Sequence, residues 1–168
     1  MASGGGTSWH PLPAAGWLPH PRPPSAQELA QELALSGLIA PGAGGGYKDH
    51  GELGAALAEA ASAFPLEMRV SSLGLSVQGR SIWAVNLGDD DDDDDDRLRP
   101  EFRYIANMHG DESTGRELCL RFIHWLLVGT DPRAQALLAT TRVHVVPTMN
   151  PDGFECARTH PFTQYMGR

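Results

Sequence analysis

The sequence predicts an α/β fold, because strand patterns and helix patterns alternate along its second half. A strand over residues 102–108 precedes a helix over 113–128, and a shorter helix starting near Pro132 precedes a strand over 143–146. Strands joined through helices favour parallel pairing, since a parallel connection needs a long crossover. The chain of 168 residues is long enough for one domain with a single buried core.

Residues 1–46 are rich in glycine and proline, which together account for 16 of these positions. Such a segment buries too little apolar surface to offset the entropy lost on ordering, so we predict that it is largely disordered. One short helix is expected within it, since Ser25 and Glu28 have capping-box spacing, and it should end near Gly37. As an alternative role, residues 21–24 could form a polyproline II ligand for an aromatic groove.

From Tyr47 onward the composition becomes that of a folded domain, which we place at residues 47–168. Asp49 can cap a helix that Pro65 closes. One apolar face of this helix should be buried and carries Leu53, Leu57, Ala60 and Phe64. Two strands, over 68–73 and 82–87, are then expected to pair as a hairpin.

A run of eight aspartates, residues 89–96 (the aspartate run), follows the second strand. Adjacent like charges repel one another and remain solvated, which favours a flexible loop. Calcium binding is the alternative, although calcium sites need ligands that turn geometry holds in place. The aspartate run also accounts for the whole formal charge of −8, because 13 acidic and 13 basic residues remain without it.

The charge balance and hydropathy exclude several classes of function. No face is expected to concentrate the basic residues that nucleic-acid binding needs. No apolar run reaches 18 residues, so we expect no transmembrane segment, and no signal peptide is recognised. The two cysteines, Cys119 and Cys156, are too few for a disulfide scaffold, and Cys119 is expected to pack as a small apolar side chain.

The second half of the chain carries the clearest pattern of buried residues. The helix over 113–128 should end at Gly129 and turn four side chains inward: Leu118, Phe122, Trp125 and Leu126. Pro147 and a turn at residues 150–153 should stop the last strand.

His109 and Glu112 stand three residues apart at a strand-to-helix corner, where α/β folds commonly place their sites. This spacing can direct an imidazole and a carboxylate at one point, and zinc accepts both ligand types. The spacing alone also fits a surface histidine beside a glutamate that favours the helix N-terminus electrostatically. From the residues alone, both interpretations stay open.

Three motifs in order resemble the zinc metallocarboxypeptidases, in particular the regulatory branch that includes carboxypeptidases M, N, E and D. They are LGLSVQGRSIW at 73–83, PEFRYIANMHGDESTGRELCL at 100–120 and TRVHVVPTMNPDGFE at 141–155. The resemblance covers residues 47–168 and implies the N-terminal part of a mixed α/β/α carboxypeptidase sheet. It also implies a Zn²⁺ cofactor.

The resemblance implies roles for three residues. His109 and Glu112 match the first two zinc ligands of the family, and Arg168 resembles an arginine that holds the substrate's terminal carboxylate. The family's third ligand, a histidine, and its general base, a glutamate, have no matching positions, so no catalytic residue is expected in this chain. The later histidines, His124, His144 and His160, are not expected to replace the missing ligand.

The implied function is zinc-dependent removal of C-terminal residues, expected to be Lys or Arg, from peptides and proteins. We expect the chain to be truncated, inactive alone, and prone to aggregation through unpaired strand edges. A non-catalytic fragment that binds zinc or peptides is the alternative. Location outside the cell or in the secretory pathway is expected from the resemblance alone.

Overall fold

The computed structural model describes residues 22–88 and 99–159. Predictions for the proline-rich residues 1–21, for the aspartate run, and for His160 and Arg168 concern residues outside these ranges. Over the described residues the chain forms, in order, α1 (Ala26–Ile39), α2 (His50–Ala63), β1 (Met68–Leu75), β2 (Ser81–Leu87), β3 (Glu101–Ile105), α3 (Thr114–Val128), α4 (Pro132–Thr140), β4 (Arg142–Val146) and α5 (Pro151–Thr159).

The four strands of this part of the chain form one mixed sheet in the order β1-β2-β4-β3. The predicted hairpin is present, since β1 and β2 pair antiparallel, and β2 also pairs antiparallel with β4. β3 and β4 pair in parallel, as expected for strands joined through helices. The predicted α/β class is therefore confirmed, and the sheet is mixed.

The core lies on one face of the sheet. The pairing register places Val85 opposite Val145 and Leu87 opposite Val143, and all four side chains are at most 3% exposed. Helices α1, α2 and α3 contribute to the same apolar cluster. The predicted face of α2 is confirmed, because its four expected core residues are all buried: Leu53, Leu57, Ala60 and Phe64.

Helix α1 has the predicted capping box, with Ser25 accepting a hydrogen bond from the Glu28 amide and Glu28 accepting one from the Ser25 amide. It continues two residues past the expected end at Gly37. Leu35 and Leu38 are buried in the same cluster as the sheet. This helix lies in the segment before residue 47, which was predicted to be largely disordered apart from the helix. The apolar face of α1 nevertheless packs on α2 and α3.

The predicted inward face of α3 was wrong at one position. Leu118 is 51% exposed, whereas the buried side chains are Arg116, Cys119, Leu120, Ile123, Leu126 and Leu127. This stripe follows the spacing of three and four residues expected of a helix, but it is centred one residue later than predicted. Phe122 and Trp125 lie at its border and are partly buried.

Two boundaries also differ from the prediction. β3 ends at Ile105, three residues early, because Asn107 adopts a left-handed backbone conformation with φ of 53°. The expected turn at residues 150–153 is instead the start of α5. Pro151 occupies the first helical position, and the Asn150 side chain accepts a hydrogen bond from the Gly153 amide at 2.8 Å.

Candidate functional site

Two loops meet at the carboxyl ends of the parallel strands β3 and β4. We refer to residues 106–113 as the β3–α3 loop and to residues 147–150 as the β4–α5 loop. The Met149 amide donates to the Ala106 carbonyl at 3.0 Å, and the Asn150 amide donates to the Asn107 carbonyl at 3.1 Å. In α/β sheets this edge is where sites usually form, because the connecting loops converge there.

The β3–α3 loop also contacts the first turn of α5 without space for a side chain. A β-carbon on Gly110 would lie 2.0 Å from the carbonyl carbon of Gly153 and 2.5 Å from the Phe154 nitrogen. Only glycine permits two backbones to approach this closely. The contact holds His109 and Glu112 in a loop braced by two different elements.

The structure brings His109 and Glu112 together, as their spacing of three residues allows. His109 Nδ1 lies 3.0 Å from Glu112 Oε2, and the Glu112 amide donates to the His109 carbonyl at 3.1 Å. Their side chains are 46% and 66% exposed, so both are open to solvent and to an approaching ion or substrate.

These two side chains fit part of a zinc site. Imidazole nitrogen and carboxylate oxygen are standard zinc donors, and two such atoms around one tetrahedral zinc lie roughly 3.3 Å apart. The observed separation of 3.0 Å is close to that value. Within residues 22–88 and 99–159, however, no third His, Cys, Asp or Glu joins them in a group able to hold a metal ion.

The described histidines that follow the pair lie elsewhere. His124 is on α3, where burial and then the charge of Arg121 lower the pKa of its imidazole. His144 is on β4 and its Nδ1 lies 2.7 Å from the Asn86 side-chain oxygen. Neither joins His109 in a group of three metal-binding side chains within the described residues.

Asp152 links α5 to the β1–β2 hairpin, a contact that sequence reasoning missed. Its carboxylate accepts hydrogen bonds from the Ser76 hydroxyl at 2.7 Å, the Gln78 amide at 2.9 Å and the Arg80 guanidinium at 2.7 Å. Burial opposes ionisation, but these bonds together leave the pKa of the Asp152 carboxyl below its usual value. Both segments carry family motifs, but no local feature of either segment indicates that they meet.

Arg116 was also missed, because a charged residue within an amphipathic helix is normally expected on the solvent face. Its side chain is fully buried. Nε donates to the Thr148 hydroxyl at 2.9 Å, one terminal nitrogen donates to the Lys48 carbonyl at 2.7 Å, and the guanidinium lies 4.1 Å from the centre of the Phe154 ring. Burial lowers the pKa of this guanidinium.

The chain matches the family model described as zinc carboxypeptidase over residues 53–168. It is 45% identical to mouse carboxypeptidase M over 89 residues, which are 52% of this chain and 20% of that protein. It is 40% identical to mouse carboxypeptidase D over 110 residues, which are 64% of this chain and 8% of that protein. These relatives confirm the predicted resemblance to the regulatory branch.

A solved structure shows the same fold. Carboxypeptidase A from Helicoverpa armigera matches 78% of this chain and 32% of its own, with a TM-score of 0.59 at 23% identity. The chain spans about a fifth or less of the length of the two curated relatives, mouse carboxypeptidases M and D. The family model nevertheless covers more than half of the sequence, and the chain belongs to the zinc carboxypeptidase family.

Proposed function

We propose that this chain supplies the first two zinc ligands, His109 and Glu112, of a metallocarboxypeptidase that removes C-terminal Lys or Arg from peptides and proteins. The observation that carries the proposal is the convergence of His109 Nδ1 and Glu112 Oε2 at a solvent-open point on the sheet edge. Membership of the family supports the assignment, since its members are zinc enzymes.

The roles of the chain's own residues follow from their chemistry. The imidazole and the carboxylate would hold Zn²⁺, which when bound can polarise a scissile carbonyl and activate a water. Arg168 would hold the terminal carboxylate of the substrate, because a planar guanidinium binds a carboxylate through two parallel hydrogen bonds. The third ligand and the general base have no counterpart in this chain by resemblance, so we propose that the chain is truncated and does not hydrolyse peptides alone.

The preference for Lys and Arg rests on the resemblance. The sequence resembles the branch that includes carboxypeptidases M and D, and this resemblance implies action on basic C-terminal residues. Location outside the cell or in the secretory pathway follows from the same resemblance. Within the described residues, no helix is both long enough and apolar enough to cross a membrane.

The natural protein provides the direct test. Antibody raised against residues 104–153 would enrich it, and its intact mass would be compared with the 18.1 kDa of this chain. We expect a larger protein that releases arginine from a peptide ending in Arg and leaves the same peptide ending in Leu intact. Chelation should abolish the release and zinc should restore it. Failure to release Arg or Lys from any peptide would overturn the proposed activity.

The isolated chain tests the proposal that it is inactive alone. We expect no release of arginine in the presence of zinc. Release that disappears in a His109→Ala variant would overturn that proposal and show that two ligands suffice. The alternative function, a non-catalytic fragment that binds zinc or peptides, is favoured by the two-ligand arrangement. It predicts saturable binding by a natural protein of about 18 kDa without turnover.

A further inference from the structure

We propose that Asn107 is the positioning residue of the zinc site, and that its side-chain amide sets the relative placement of His109 and Glu112. This inference rests on the zinc site proposed above and adds to it a residue that does not itself contact the metal. The observation behind this inference is that one buried side-chain amide donates hydrogen bonds to several carbonyl groups of the β3–α3 loop.

The first observation is the convergence of three carbonyl groups on one nitrogen. Asn107 Nδ2 donates to the carbonyl oxygens of His109 at 2.8 Å, Gly110 at 3.2 Å and Glu112 at 3.2 Å. Asn107 is only 4% exposed. One side chain therefore bonds directly to the backbone of both ligand residues.

The orientation of the amide follows from its surroundings. An amide nitrogen carries two donor hydrogens, and a carboxamide oxygen only accepts. Rotating the group by 180° would place Oδ1 of Asn107 against three carbonyl oxygens, which repel it. In the present orientation Oδ1 is buried without a hydrogen-bond partner among the described residues. The side-chain oxygen of Asn107 therefore stays without a hydrogen bond, while its nitrogen bonds to three carbonyl groups.

The backbone of Asn107 is itself held from the neighbouring strand. Its φ of 53° lies in the left-handed region, which asparagine tolerates better than most residues. Its carbonyl accepts from the Asn150 amide at 3.1 Å, and the adjacent Ala106 amide donates to the Val146 carbonyl at 3.0 Å. The amide therefore projects from a fixed point of the sheet.

The ligand side chains have little else to hold them. In the described part of the chain, the side chains of His109 and Glu112 hydrogen-bond only to each other, and they are 46% and 66% exposed. A mobile loop would add the entropy of its backbone to the cost of binding a metal. The bonds from Asn107 to the backbone carbonyls of His109 and Glu112 restrict that motion and fix the points from which the two side chains project. Loss of such supporting partners commonly lowers metal affinity by about 10–100-fold.

The test is a titration of the full 168-residue chain with zinc alone, followed through the carbon-bound ring protons of His109 by NMR. The ring signal is assigned by its loss in a His109→Gln variant. A site-specific signal is needed because the aspartate run offers many carboxylates that can also attract zinc. Asn107→Gly keeps the left-handed backbone and removes the amide, and Asn107→Asp keeps the shape but directs a carboxylate at three carbonyl groups.

A matched control separates positioning from general stability. Asp131→Ala removes the N-terminal cap of α4, where Asp131 accepts from the Arg133 amide at 2.9 Å, and it should lower the melting temperature without touching the β3–α3 loop. We expect Asn107→Gly to weaken zinc binding at His109 by 10-fold or more and Asp131→Ala to leave it within twofold. Asn107→Asp is measured as well, so that one informative variant remains if the glycine variant unfolds.

Two outcomes would contradict the inference, and they differ. If the Asn107→Gly and Asn107→Asp variants fold and bind zinc within twofold of the wild-type affinity, the positioning role is overturned. The proposed zinc site is unaffected by that result. No response of the wild-type His109 ring to zinc would overturn zinc binding by this chain, and the positioning role with it, whereas the activity proposed for the longer natural protein is judged separately by its release of arginine. Equal weakening in the Asp131→Ala variant would show that stability alone sets the affinity, and would also overturn the positioning role.

Discussion

Gly110 and Gly153 meet through their backbones, so that a β-carbon on Gly110 would stand 2.0 Å from the carbonyl carbon of Gly153. The contact joins the loop that carries His109 and Glu112 to the first turn of α5. Two segments more than 40 residues apart in the sequence thereby form one rigid corner at the sheet edge. The absence of a side chain at Gly110 is what permits the approach.

A side chain at position 110 should therefore be poorly tolerated. We expect Gly110→Ala to lower the free energy of unfolding by about 1–3 kcal/mol or more, because the methyl group meets backbone atoms that cannot rotate away. Gly44→Ala is the control, since a β-carbon there meets nothing within 4 Å. Urea denaturation of both variants would check this. Equal stability of the two would contradict the close contact.

Removal of the buried guanidinium should be among the most destabilising changes in the chain. Arg116→Ala leaves a cavity beside the Phe154 ring and removes the guanidinium that bonds to the Lys48 carbonyl. We expect a loss of about 3–5 kcal/mol. Arg121→Ala, at an exposed position of the same helix, should change stability by less than about 0.5 kcal/mol. Thermal unfolding monitored by circular dichroism distinguishes the two, and a small effect at Arg116 would count against its buried role.

Acid should weaken the link between α5 and the hairpin. Because the pKa of Asp152 is lower in the folded chain than its usual value, folding favours the ionised carboxylate. Its contribution is complete above about pH 4, the usual aspartate range, and is lost as the pH falls through the lower folded value. Asp152→Asn should therefore destabilise the chain at pH 7 more than at pH 3.

The measurement is urea denaturation of wild type and Asp152→Asn at several pH values. Arg103→Gln serves as the control, because it breaks an ion pair with Glu101 in which the arginine side chain is 69% exposed. We expect little change from it at any pH, as exposed pairs contribute at most about 1 kcal/mol. A constant difference between wild type and Asp152→Asn across this pH range would argue against an ionised, bonded Asp152.

The two cysteines should react very differently with alkylating reagents. Burial raises the pKa of the Cys119 thiol to about 12, and the side chain is fully buried in the core. Since the thiolate is the reactive form, Cys119 should resist iodoacetamide at pH 8 in the folded chain. Cys156 on α5 is only partly buried and should react first. Mass mapping with and without denaturant tests this, and rapid native labelling of Cys119 would disprove its burial.

Much of the local structure could be predicted from the sequence. The capping boxes at Ser25 and Asp49, the buried face of α2 and the β1–β2 hairpin all depend on residues close to one another in the chain. The contact between His109 and Glu112 is also local, because the two residues are only three positions apart at the strand-to-helix corner. Local spacing and propensity decide such features.

Only the tertiary structure decided how these parts support the site. Arg116 is buried because α3 packs it between the Lys48 carbonyl and the Phe154 ring, partners that lie far from it in sequence. Asp152 likewise bonds to Arg80 of the hairpin, which lies far from it in sequence. The sequence alone determined which residues could bind a metal. Their placement at a braced corner came from long-range packing, whose energy depends on contacts that no short segment contains.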